Sequence, residues 1–435
     1  MIVHYKSFRM KKIFCCLLIL HFSIFLLAQQ TVIVANQSPD VALGKRMPVT
    51  FFFNLNENNF YKVSILQKKI AVKYTLFDGA GKQLIISGEP SNIDGDREFE
   101  FFAASKGKYK LLVERFEHPI NPDSGEVNVV LKRFSKKEIA LKKKIKQQLE
   151  PENQKHVTTI DMDHFWEAFD NLKSCKTYGD SVNSFQTLYL DRATNGLLDF
   201  KTVREFTARK FTDAVTQNPQ VYQNVRRYTA LVKKTAPVIN KVYEKFKALY
   251  PNFKPFKVCF AIGINNTGGT VSNQFVLIGT EVSLNDTKVI TETEVVNRIE
   301  SMIAHESVHT QQKPLDSNSV ECPLLHTSIM EGSCDFIGEL ITGRPVRNEY
   351  GVAHEKELWD LFKAALCTSD FKNWLYNGGL LKDKPGDLGY YIGYEIAKEY
   401  YHNSADKKQA IVDIIEMNNP MQFLEKSRYD KKQKL

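Results

Sequence analysis

His305-Glu306-Ser307-Val308-His309 places two imidazoles four residues apart, with a carboxylate directly after the first. On an α-helix residues four apart share one face, so both rings can reach a single metal ion. A glutamate one position on can take a proton from a water that such a metal activates. These residue types at this spacing read as a zinc hydrolase site, with His305 and His309 as ligands and Glu306 as general base. The plainer reading is two helical histidines and a solvated glutamate. Ile299, Met302, Ile303 and Val308 recur at roughly helical spacing, which predicts a half-buried helix under the motif.

A catalytic zinc that keeps one position open usually has three protein ligands. Downstream, Ile329, Met330, Phe336, Ile337 and Leu340 predict a second helix with one buried face. Glu331 falls on that helix 22 residues after His309, and Asp335 follows one turn later. Glu331 reads as the third ligand, and Asp335 as the acceptor for the free ring N–H of a ligand histidine. Two surface charges are the alternative. This Glu-x-x-x-Asp pair resembles the second motif of the gluzincin metallopeptidases, whose zinc is held by two His and one Glu. The elongated metzincin pattern is absent, because Gln312 stands where it requires Gly and no third His follows as far as Asp316. His326 is open to three roles: a ligand, an oxyanion stabiliser acting in catalysis, or a loop histidine.

Near the C-terminal end, Asp387-Leu388-Gly389-Tyr390-Tyr391-Ile392-Gly393-Tyr394 combines two glycines with three tyrosines. This predicts a helix start packed closely against another element. Tyr391 is the candidate hydroxyl donor to the oxyanion of a tetrahedral intermediate, with aromatic helix packing as the alternative.

The elements that must position these residues follow from pattern and composition. A chain of 435 residues, 43% hydrophobic and 25% charged, can build two or three domains with ordinary cores. Lys11 and Lys12 precede an apolar run from Ile13 to Leu27 that is too short for a membrane span, and Ala28 follows it. This is the layout of a signal peptide, residues 1–28, with a periplasmic or extracellular destination for the mature chain. Its removal takes Lys6, Arg9, Lys11 and Lys12, so the formal charge falls from +9 to +5. That mild charge, with scattered lysines, gives no support for nucleic-acid binding. No membrane span is expected in the mature chain. Five cysteines remain after cleavage, at spacings that do not form a disulfide framework, although one bridge fits an oxidising compartment.

Residues 31–134 alternate in the manner of short strands: Val49–Phe53, Tyr61–Ile65, Val72–Phe77, Tyr109–Val113 and Val127–Leu131. Turn signals at Asp78-Gly79-Ala80-Gly81, Asp94-Gly95-Asp96 and Lys106-Gly107-Lys108 punctuate them, which predicts an all-β sandwich, jelly-roll-like. The order of these pieces resembles the pre-peptidase-type C-terminal modules of secreted bacterial peptidases. A charged helical linker is expected over 135–156, with a break at Pro151. From 157 to 428 the pattern is that of a mainly helical α+β, zincin-like metallopeptidase domain. Helices are expected near 180–195, 200–217 and 219–248. Strands are expected at Lys257–Ile262 and Gln274–Gly279, with a flexible turn through Asn265–Thr270 between them.

Taken together, residues 160 to 425 resemble bacterial predicted zinc-dependent proteases related to the gliding-motility protein GldB. The matching pieces are Asp163-His164-Phe165-Trp166, Tyr189-Leu190-Asp191, Gly268-Gly269-Thr270, Ile278-Gly279-Thr280-Glu281, the zinc pentapeptide, Glu331–Phe336 and Gly389–Tyr394. The resemblance implies a metallopeptidase-like fold with three ligands to one Zn2+ ion. The expected function is an exported zinc metallopeptidase acting on a peptide or protein substrate. Two other readings stand beside it. One is a non-catalytic binding or motility-associated protein that keeps the fold. The other is a surface protein whose sandwich binds carbohydrate or protein.

Overall fold

The computed structural model describes residues 30–433, apart from 46, 88–92, 118–120, 273, 287, 314–320, 347 and 379–383. The expected signal peptide, residues 1–28, lies outside the described residues. An N-terminal β-rich region is followed by a mainly helical one. The strands of the first are β1 (Gln30–Ile33), β2 (Val41–Gly44), β3 (Val49–Leu55), β4 (Asn59–Lys68), β5 (Val72–Phe77), β6 (Gln83–Ile86), β7 (Gly95–Ala103), β8 (Gly107–Arg115) and β9 (Ser124–Arg133). They form two sheets, ordered β1-β3-β8-β5-β6 and β2-β9-β4-β7. Alternation builds the core: Tyr109, Leu111 and Val113 of β8 point inward to meet Phe51, Phe53, Val63, Ile65 and Val129, all essentially buried. Strand β7 was read in the sequence only as the turn Asp94-Gly95-Asp96. Its Arg97, Phe99 and Phe101 show that the turn opens a long strand paired with β4.

The charged helix spans Lys136–Gln154 and runs through Pro151 instead of breaking there. Pro151 sits in the last turn, so the one backbone hydrogen bond it removes lies at the end of the helix, with only three helical residues after it. This helix is packed on the helical region and is not a free linker. The Asn153 side chain accepts the N–H of Asn195 at 2.8 Å, and Lys257 Nζ donates to the Asn153 carbonyl at 2.6 Å.

The second region centres on four strands, β10 (Val157–Thr158), β11 (Lys257–Ala261), β12 (Gly269–Val271) and β13 (Phe275–Gly279), in the order β10-β11-β13-β12. The first three neighbours run parallel and β12 is an antiparallel edge. Parallel strands covered on both faces are continuously apolar, and Val258–Ala261 and Phe275–Ile278 are buried throughout. The expected flexible turn therefore ends inside an edge strand, because Thr270 and Val271 pair with β13. The long helical stretches divide at capping threonines: Thr194 and Thr207 each accept an N–H from the following first turn.

Two helices near the C-terminal end approach backbone to backbone. A Cβ on Gly332 would lie 2.0 Å from Tyr394 N, and one on Gly393 would lie 1.7 Å from Ser328 O. Only glycine permits this packing of helix Pro323–Thr342 on helix Leu388–Asn403. A disulfide joins Cys322, just before the first of these helices, to Cys367.

Candidate metal centre

Helix Glu292–His309 begins at a capping box in which Thr291 and Glu294 satisfy each other's N–H groups. Val295, Ile299, Ile303, Ala304 and Val308 bury one face of it in the core. Truncating one of these, Ile303 for example, should cost about 2–5 kcal/mol. That buried face fixes the rotation of the helix and turns His305 and His309 toward helix Pro323–Thr342. The second helix starts on Pro323, ends on Gly343 at φ 75°, and carries Glu331 and Asp335 one turn apart.

The four side chains meet. Glu331 Oε2 lies 3.2 Å from His309 Nε2 and 3.5 Å from His305 Nε2. The opposite ring nitrogens are already engaged: His305 Nδ1 with Asp335 Oδ1 at 2.7 Å, and His309 Nδ1 with Gln312 Oε1 at 2.8 Å. Gln312 Nε2 donates to the Met330 carbonyl at 3.0 Å, which orients the amide so that its oxygen faces the imidazole. With Nδ1–H donated on both rings, each Nε2 presents either a lone pair or a second proton to the same carboxylate oxygen. An imidazolium–carboxylate hydrogen bond would close to about 2.7–2.9 Å. A tetrahedral zinc with bonds of about 2.05 Å sets its ligands about 3.3 Å apart. The observed 3.2 and 3.5 Å suit three donors around one small ion as well as long hydrogen bonds between the side chains themselves. A donor set of two imidazoles and one carboxylate fits zinc.

Electrostatics point the same way. Burial alone would lower the imidazole pKa values, but Asp335 and Glu331 outweigh it and hold His305 well above its ordinary range. Glu331 likewise raises His309. Burial raises the Glu331 carboxyl, and the two histidines overcome this and pull it well below the usual carboxylate range. The pocket thus attracts positive charge, whether protons or a metal. Glu306 is raised by burial and lies against the edge strand, where a Cβ on Gly269 would fall 2.4 Å from Glu306 Oε1. Glycine at 269 is what gives Glu306 its room.

His305, His309 and Cys334 also bring ligand atoms within 4.8 Å of one another. Cys334 Sγ stands 3.4 Å from Nδ1 of His309, the nitrogen held by Gln312, and its thiol donates to Met330 O at 3.3 Å. Burial pushes that thiol well above its ordinary pKa, which disfavours the thiolate a metal needs. Glu331 is the better third ligand.

Two sequence-predicted residues are not brought to this cluster. His326 is 2% exposed in the core, with neither ring nitrogen hydrogen-bonded among the described residues, and burial alone lowers its pKa. It reads as a neutral core histidine. Tyr391 packs its ring on Gly351, where a Cβ would come within 2.6 Å, and the charges acting on it are Glu355 and Glu395. Its neighbour Tyr390 is the one that faces the centre, stacking at 6.2 Å from the His305 ring. Adjacent helical residues point about 100° apart, so a Tyr-Tyr pair in sequence does not say which ring faces a site.

Sequence reasoning missed Tyr376, whose hydroxyl donates to Glu331 Oε1 at 2.8 Å. It sits at φ 56° in a loop without periodicity. The loop is tied at its base by reciprocal bonds between Asn377 and Asp387, at 2.8 and 2.6 Å. The one local signal beside it is the turn-forming pair Asn377-Gly378, which marks a loop but no site.

A family model described as "Predicted Zn-dependent protease (DUF2268)" matches residues 238–419, the stretch that carries every ligand candidate. The chain is similar to that family there. No curated protein matches the chain. Among solved structures, the pre-peptidase C-terminal domain of a collagenase from Bacillus anthracis is 16% identical, over 24% of this chain and 96% of that one, at a TM-score of 0.19. PliG of Aeromonas hydrophila, a periplasmic inhibitor of g-type lysozyme, is 14% identical over 24% and 96%, at 0.20. The surface-associated copper-binding protein CorA of Methylomicrobium album BG8 is 10% identical over 24% and 98%, at 0.20. Likenesses at these TM-scores carry no argument about function.

Proposed function

We propose that this protein is an exported zinc-dependent peptidase whose metal is held by His305, His309 and Glu331. The convergence of both Nε2 atoms on Glu331 Oε2, with both Nδ1 atoms engaged elsewhere, carries this reading. A zinc ion bound there would supply Lewis acidity, activating a water near neutral pH and polarising the scissile carbonyl. Asp335 and Gln312 keep the ligand nitrogens bare by fixing the ring tautomers. Glu306 accepts the proton of the attacking water on its carboxylate and returns it to the leaving amine nitrogen. The Tyr390 phenol stands beside His305 as a donor for the developing oxyanion.

Strand β12 is an edge beside Glu306, and its outer main-chain groups suit an extended peptide laid across the cleft. Export is supported by the charged-then-apolar pattern of residues 1–28 and by the Cys322–Cys367 bridge. The sandwich is a second module that serves the catalytic half.

Metal analysis of the wild type, His305→Ala and Glu331→Ala tests the centre, and hydrolysis of peptide libraries by Glu306→Gln tests the base. Zinc at one ion per chain in the wild type, lost in both ligand variants, is expected. Glu306→Gln should keep the zinc and lose about 10²–10⁴ in rate. Equal zinc in all three proteins would end the reading.

A further inference from the structure

The helix Asn195–Arg204 packs on strands β11 and β13 through Gly196, and Ser272 Oγ donates to its Asp199 Oδ2 at 2.6 Å. Just past its end the Phe206 ring lies 3.2 Å from where a Cβ on Gly263 would stand, at the end of the sheet where Gly269 meets Glu306. Its last residue, Arg204, was not singled out by the sequence patterns and precedes the family match. The Arg204 guanidinium is largely desolvated, and its Nε is buried without a hydrogen-bond partner. Among the described residues it makes no ion pair. The charged and polar groups that act on it are Glu306 and the Tyr376 phenol, the two side chains that flank the metal ligands. A half-buried guanidinium without a counter-ion is costly, so the usual arrangement is a paired one. Here the cation is held at the cleft with its fork free.

The turn that carries it is fixed from the other region of the chain. Glu205, next in sequence, adopts φ 53°, a left-handed conformation that a glutamate avoids unless it is held there. Its carboxylate pairs with Arg97 of β7, both side chains nearly buried, and its carbonyl accepts from Lys210 Nζ at 3.0 Å. Two residues on, Thr207 Oγ1 donates to Asp96 Oδ1 at 2.8 Å. The sandwich therefore clamps the turn at Glu205 and Thr207. The clamp sets the end of the helix and with it the direction of Arg204.

Building on the peptidase reading, we propose that Arg204 is a specificity-determining residue that binds a carboxylate of the peptide substrate, and that the sandwich orients it. A planar guanidinium takes a carboxylate through two parallel N–H donors, which gives direction as well as attraction. The carboxylate can be an acidic side chain near the scissile bond or the free C-terminus, since the chemistry is the same.

The test uses the full-length, zinc-loaded Glu306→Gln protein, so that binding is read without turnover. The probes are hexapeptide pools carrying one Glu or one Gln, each with a free or an amidated C-terminus. Calorimetric affinities should favour one carboxylate by about 10–100-fold. Preference for Glu over Gln under either terminus assigns a side chain, and preference for acid over amide assigns the C-terminus. Adding Arg204→Gln should bring the ratio to within about threefold of one. Arg204→Lys, which keeps the charge but not the fork, should leave an intermediate ratio.

No preference in the Arg204 protein, including no binding of any pool, overturns the proposal. So does a preference that survives Arg204→Gln. Wild-type protein that hydrolyses none of the pools while an Arg204-dependent preference persists would remove the peptidase reading and leave this site standing. Hydrolysis without any carboxylate preference would do the reverse.

Discussion

Glu331 divides its two oxygens: Oε2 faces both imidazoles, and Oε1 accepts the Tyr376 hydroxyl at 2.8 Å. The tyrosine thereby fixes which oxygen is offered to a metal and prevents the carboxylate from swinging to a bidentate pose.

Tyr376→Phe should consequently weaken zinc by about 10–100-fold, as should Asp335→Ala, without abolishing it. Competition against a chelator measures both. Loss of Glu331 should be more severe than either, and Cys334→Ser should leave zinc nearly unchanged. If Cys334→Ser proved the most damaging of the four, the thiol and not Glu331 would be the third ligand.

Gly269 supplies a second prediction. A methyl at this position would overlap the Glu306 carboxylate, 2.4 Å from Oε1. Gly269→Ala should keep fold and zinc, yet lower kcat about 10²-fold by displacing the base. A variant with wild-type kcat would show that Glu306 moves freely and is not positioned by the edge strand.

The metal helix was legible because its signal is local. Two histidines four apart need only a helix, and Ile299, Ile303 and Val308 declare one. Glu331 and Asp335 were legible for the same reason. What the sequence did not show depends on contacts between distant segments. Tyr376 acts from an aperiodic loop held by Asn377 and Asp387, and Arg204 acts from a turn clamped by a strand over a hundred residues earlier. Tyr391 was preferred to Tyr390 because helix phase, set by the glycines packed on Ser328 and Gly332, is invisible in a run of tyrosines. The sandwich showed itself in its alternation, whereas β7 hid behind a turn signal.

Glu281 makes a prediction about pH. Burial raises its carboxyl from 4.5 to about 7, although it accepts the N–H groups of Gly263 at 2.7 Å and Asn265 at 3.0 Å. Because the folded state binds this proton more tightly than the unfolded state, stability falls as pH rises between these two values. The contribution is on the order of 3 kcal/mol. In denaturant titrations from pH 4.5 to 7, Glu281→Gln should show a shallower decline than the wild type. Parallel slopes would mean that Glu281 is ionised in the folded protein throughout.

The last prediction concerns the boundary between the regions. Asn153 holds both Asn195 and Lys257, so the helix Lys136–Gln154 belongs with the catalytic half. A protein starting at Ser135 should therefore be better folded than one starting at Gln154, and should hold one zinc per chain. The three ligands and Glu306 lie on two helices whose apolar faces belong to a hydrophobic core distinct from that of the sandwich. Arg97 and Asp96 are gone from such a protein, so the Glu205 turn loses its clamp. Its carboxylate preference should drop about tenfold or more while zinc stoichiometry is unchanged, since loss of orientation alone has effects of that size. Zinc content and the four-pool affinities on the same preparation read both. A soluble, zinc-loaded protein with full preference would show that Arg204 is oriented without the sandwich. An insoluble or zinc-free one would show that the two regions stabilise each other as one folding unit.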